Sequence, residues 1–269
     1  MFKAIKNIFL TLFVFGLLIA IFVQPEEAST DNIYRDDGYV SADCSEFQSS
    51  EGQNVQTQRS WVDYNGFDYC MEYNTDLITS QESRDQRNAY NDDYSRTEEE
   101  FWGNLYSTIH EQGKDNLVTL LDSLWELKLV NNLDRYDFAN TVVTFVQDIP
   151  YAYVLDEELC EDQEEDMNCV TGAKYGLLSP YEFLHSLSGD CDTRALLLYS
   201  IFKGFNYEPR IAISRAYKHA VLMLDVTTSG DYIEENGQKY FFWETTATGW
   251  QAGILPPDVS NVYNWKIVL

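Results

Sequence analysis

Ser188-Gly189-Asp190-Cys191-Asp192-Thr193-Arg194-Ala195-Leu196-Leu197-Leu198-Tyr199 joins a small, flexible turn to a strongly apolar run. Nothing breaks that run before Gly204, a residue suited to the left-handed end of a helix. The stretch therefore reads as a buried helix with Cys191 in its first turn. Unpaired backbone N–H groups and the positive end of the helix dipole gather there. Both favour the thiolate, which is the nucleophilic form of cysteine. Asp190 and Asp192 flank Cys191 and oppose it by like-charge repulsion. Asp190 also suits the cap of the helix. The competing reading is an inert cysteine that packs as a small apolar residue.

Upstream lie helical patterns. Ser179-Pro180-Tyr181-Glu182 combines a cap, a proline at the first helical position and a glutamate three residues after the cap. Thr97 with Glu100 opens a helix that carries Phe101, Leu105 and Ile109 and ends near Gly113. A second helix is expected over about Asn116 to Asn131. A third starts near Asp134 or Asp137 and runs to Asp148, where Pro150 stops it. Downstream lie strand patterns at Arg210 to Ser214, His219 to Val226, Gln238 to Thr245 and Trp265 to Leu269, with a polar link over Thr227 to Gly237. Helices followed by strands predict an α+β fold, with the Cys191 helix packed on an antiparallel β-sheet.

A cysteine nucleophile needs a base, and the base needs an orienting group. The chain has three histidines. His110 sits near a helix end and His185 on the short helix before the nucleophile turn. His219 opens an apolar strand and is the best placed to face a helix N-terminus. Glu244 ends the strand Tyr240-Phe241-Phe242-Trp243. Antiparallel pairing through the 227–237 link brings His219 and Glu244 within one residue of facing each other. Gln147, at the end of a helix expected to pack nearby, and the backbone N–H of Cys191 are candidate oxyanion donors. The bland readings are a strand-edge histidine, a solvated strand-end carboxylate and a solvent-facing glutamine.

The chain has 18 Lys+Arg against 44 Asp+Glu, a net charge of −26. That balance repels phosphates and argues against nucleic acid. Lys3 and Lys6 precede an apolar run over 8–23, and Glu26 and Glu27 follow it. This layout predicts export, with residues 1–28 as a signal peptide or a retained membrane anchor. Residues 29–96 read as a tether and an aromatic-rich hairpin around Asn65-Gly66, poorly ordered over 29–53. Residues 97–269 form the main domain. Exported cysteines pair, and the local couples are Cys44 with Cys70 and Cys160 with Cys169, which leaves Cys191 over. There is no zinc-type Cys/His spacing and no Gly-rich phosphate loop, so neither metal nor cofactor is expected.

The ordered set Gly189-Asp190-Cys191, His219-Ala220 and Glu244-Thr245-Thr246 resembles the transglutaminase-like cysteine hydrolase superfamily, over about residues 135–255. Phe145-Val146-Gln147-Asp148-Ile149-Pro150-Tyr151 is similar to the helix end that precedes the nucleophile in bacterial members. Many members carry Asp-Pro-Thr where this chain has Glu-Thr-Thr. The resemblance implies a papain/transglutaminase-like fold, with Cys191 as nucleophile, His219 as base and Glu244 as orienter. It also implies an exported peptidase or amidase acting on a protein or peptide through a thioester. The alternatives are a transamidase using an amine acceptor and a catalytically silent envelope binding or scaffolding module.

Overall fold

A computed structural model describes residues 44–92, 94–157, 160 and 168–269. The expected signal or anchor over 1–28 and most of the expected tether lie outside them. Among the described residues no helix is long and apolar enough to cross a membrane.

Side-chain caps start the helices. Asp76 accepts from Thr79 N and opens α1, Leu77–Ala89. Thr97 accepts from Glu100 N and opens α2, Glu98–Gly113. Glu100 reaches back to the N–H of Arg96 at 2.7 Å rather than to that of Thr97. A 3-10 turn at Lys114–Leu117 leads into α3, Val118–Val130. Asp134 caps α4, Arg135–Gln147. Ser179 and Glu182 form a complete capping box on α5, Pro180–Ser186. Asp190 caps α6, Cys191–Gly204.

The first sheet is β1, Phe47–Glu51, β2, Asn54–Val62, and β3, Asp68–Asp76, in that order. Gly66 sits at φ 85 in the turn between β2 and β3, as the Asn-Gly pair requires. Two short parallel strands, β4 (Tyr153–Val154) and β5 (Cys169–Val170), lie ahead of α5. The main sheet holds β6 (Arg210–Ser214), β7 (His219–Leu224), β8 (Tyr232–Glu235), β9 (Gln238–Trp243) and β10 (Lys266–Ile267). Its order is β10-β6-β7-β9-β8, with every neighbouring pair antiparallel. The architecture is α+β.

Three elements depart from the pattern reading, each for a physical reason. Strand β1 falls within the stretch expected to be a loose tether. All five of its residues are exposed, and it is held by backbone pairing to β2 rather than by apolar burial. The helix α1 buries Ser80, Ser83 and Arg87, so no apolar stripe announces it. Arg87 instead makes a two-pronged contact with the buried Glu182 at 2.8 and 2.9 Å. The link after β7 contains β8, which pairs with the far edge of β9 through the Asn236-Gly237 turn.

The sheet is covered on both faces. Ile211, Ile213 and Ala220 pack with Cys191, Ala195, Leu196 and Tyr199 of α6. Ala212, Val221, Met223 and Phe242 point the other way, under Leu255 and Trp265. This explains why β7 is apolar from Ala220 onward rather than alternating. Trp61 and Tyr73 of the hairpin share a core with Phe145 and Leu197. The described residues accordingly fall in one compact unit, Asp43–Leu269.

Candidate active site

Cys191 occupies the first position of α6 and is 6% exposed. Gly189 is required two residues earlier. A Cβ there would meet Thr193 Cγ2 at 2.7 Å and Phe183 Cδ2 at 2.9 Å. The sulfur shares a core cluster with Ala220 of β7, the residue after His219, whose backbone amide favours the ionised form. It also contacts Asp192 Oδ2 at 3.8 Å. Asp192 also accepts a short hydrogen bond from the hydroxyl of Tyr106. Burial pushes the Cys191 thiol well up, and the carboxylates of Asp192, Asp190 and Glu244 add to the push. Burial raises Asp190 and Asp192 as well. The resting group is therefore a thiol.

His219 and Glu244 meet. Nε2 of His219 lies 3.0 Å from Glu244 Oε2. Their contact does not come from direct cross-strand pairing. The β7–β9 ladder sets Leu222 opposite Trp243, so Glu244 lies just beyond the last strand residue and two short of the position that His219 would face. The longer arm of a glutamate spans that offset. Its other oxygen, Oε1, accepts from Thr245 N at 2.8 Å, Thr246 N at 3.0 Å and Thr246 Oγ1 at 2.7 Å. Glu244 is 1% exposed. Burial alone would raise its carboxyl, but the bonds from His219 and Thr246 hold it below the usual carboxylate range. The indole of Trp265 stands edge-on to the His219 ring at 5.7 Å. With Nε2 bound to the carboxylate, Nδ1 is the ring nitrogen left to handle a proton.

Gln147 is close by, but its amide is engaged. Nε2 donates to the carbonyls of Glu244 at 2.7 Å and Trp250 at 3.1 Å. It thus ties the end of α4 to the segment that carries the carboxylate. Tyr151 stands beside Cys191: burial raises its phenol, the Cys191 sulfur adds to the rise and the Cys191 backbone amide opposes it. Tyr151 bridges to Gly189, and Ala152 N donates to Gly189 O at 3.2 Å. Arg194 lies beneath this region, fully buried. Tyr151 and Arg194 escape a motif search. The one available signal for Arg194 is a cation ahead of the apolar run Ala195-Leu196-Leu197-Leu198 of α6.

His110 and His185 lie elsewhere. His110 Nδ1 pairs with Ser200 Oγ and His185 Nδ1 with Thr75 Oγ1, each at 2.9 Å. Cys44–Cys70 and Cys160–Cys169 are disulfides, and Cys191 is free. Among the described residues no group of three or more His, Cys, Asp or Glu could hold a metal ion. No family model, curated protein or solved structure matches the chain.

Proposed function

We propose that the chain is an exported cysteine-dependent amide hydrolase with a papain/transglutaminase-like fold, of the transglutaminase-like cysteine peptidase type. The observation that supports this most is the 3.0 Å contact between His219 and the buried Glu244, next to the Ala220 amide that favours the ionised form of Cys191. In this reading Sγ attacks an amide carbonyl of a protein or peptide while its proton passes to His219 Nδ1. Glu244 holds the ring and stabilises the imidazolium. The proton then goes to the leaving amine, and a thioester remains. Water, activated by the same imidazole, attacks the thioester and restores the thiol. An amine in place of water would make the enzyme a transamidase. The two disulfides fit an oxidising compartment.

The carboxylates around Cys191 favour a second reading, a silent binding module. The two separate on one assay, cleavage of a peptide-amide library read by mass spectrometry. The hydrolase reading expects cleavage that falls by about 1,000-fold or more in Cys191→Ala and in His219→Ala. Full cleavage by Cys191→Ala would sink it. No cleavage by the wild type at any pH would put the silent module first.

A further inference from the structure

The guanidinium of Arg194 touches two of the segments that carry the candidate triad, those of Cys191 and Glu244, and the end of α4 between them. Nε donates to Gly189 O at 3.0 Å, in the turn before Cys191. Nη1 donates to Val146 O at 2.8 Å and to Thr245 O at 3.1 Å. Nη2 donates to Ile149 O at 2.6 Å. Among the described residues no carboxylate bonds it. The rings of Tyr151 and Phe183 flank it at 5.3 and 5.8 Å. A fully buried cation that makes only carbonyl bonds is costly, because desolvation is repaid by dipoles alone. The C-terminal end of α4, with its partial negative charge, supplies part of that return. Burial lowers Arg194 to about 10, which leaves it charged at neutral pH. Three segments that a methionine could merely pack between are instead fastened by a fork.

We propose that Arg194 is a positioning residue for the reaction, which locks the nucleophile turn to the carboxylate end of β9 and supplies the one buried positive charge that offsets the carboxylates around Cys191. The inference rests on Cys191 being the nucleophile. Around the sulfur stand Asp190 and Asp192 from α6, Tyr106 from α2, Tyr151 after α4, the Ala220 amide from β7 and Glu244 after β9, and His219 of β7 acts on the adjoining Asp192. Asp190, Cys191, Glu244 and Tyr151 in turn act on Arg194, the fixed cation beside that set.

The test is the rate at which iodoacetamide alkylates Cys191 at about pH 8, below the free-thiol value of about 8.5, where each unit of thiol shift reads as tenfold in rate. Arg194→Met, in which the charge is lost, is expected to slow alkylation about tenfold or more. Arg194→Lys keeps a cation without the fork, and is expected to alkylate faster than Arg194→Met but slower than wild type, because a lysine cannot fasten the three segments together. A purely structural role would do the opposite: looser packing would expose the sulfur and speed alkylation in both variants. Should Arg194→Met fail to fold, the wild type supplies the reading. The Arg194 Nε–H resonance is expected to titrate with the midpoint of the alkylation profile. A static resonance, or unchanged or faster alkylation in folded Arg194→Met, overturns the inference. If library cleavage still depends on Cys191 and His219 in that case, only the role of Arg194 fails. If alkylation follows Arg194 but no cleavage occurs, the hydrolase reading fails and the charge role stands.

Discussion

Asp190 and Asp192 show how one motif residue can serve structure and oppose chemistry. Asp190 caps α6 through Thr193 N, yet burial first, and Asp192 second, push its carboxyl up to about 8 from the ordinary 3.8. A folded value above the unfolded one means stability that is present in acid and lost as pH rises through that window. Asparagine caps as well as aspartate and carries no charge. Asp190→Asn is therefore expected to raise the melting temperature by a few degrees at about pH 8 and by little at about pH 4. An equal effect at both would refute the linkage. Glu244 has the opposite sign: its value is held down, so its contribution is present above the ordinary 4.5 and lost as pH falls through the folded value. Asp192→Asn removes the nearest negative charge from the sulfur and is expected to speed iodoacetamide alkylation of Cys191 by roughly tenfold at fixed pH below the thiol value. The contact of His219 with Glu244 was legible because one opens an apolar strand and the other ends its partner. Arg194 was not, because its partners are carbonyls, and a sequence gives no sign of where carbonyls converge.

The hairpin of β2 and β3 is more than an appendage. Trp61 is 3% exposed, stands edge-on to Phe145 at 5.0 Å and donates from Nε1 to Thr141 O at 3.0 Å. Both contacts are to α4, the helix that ends at Gln147. Trp61→Ala is expected to cost about 3–5 kcal/mol in chemical denaturation. A loss under about 1 kcal/mol would show that the hairpin folds apart from α4. Helices with apolar stripes, α2, α4 and α6, were readable from spacing and caps. The helix α1 was not, because an ion pair replaces its apolar face. Strands β1 and β8 were not, because edge strands need backbone partners more than apolar side chains, and partner choice is not local.

For the whole chain, a net charge of −26 makes the compact state repel itself. Screening relieves that repulsion, since the Debye length shortens from about 10 Å at 0.1 M salt to about 3 Å at 1 M. The melting temperature is therefore expected to climb with sodium chloride over that range, and a flat profile would show that the charges are already balanced locally. The α+β class and the antiparallel pairing of β7 with β9 followed from pattern. The register did not: a symmetric hairpin put His219 nearly opposite Glu244, whereas the ladder is offset and side-chain reach closes the gap.

The Cys44–Cys70 cross-link has a mechanical consequence. It joins Cys44, ahead of β1, to the third residue of β3, across a sequence separation of 26. Tension applied from the N-terminal side therefore enters the domain at β3 and bypasses β1, β2 and the turn between β2 and β3. Those residues hang as a slack loop outside the line of force. The force meets the seven β2–β3 pairs from Cys70 to Asp76 and the core beneath Tyr73. With the bond reduced, the same pull would start at the exposed edge and unzip β1 first.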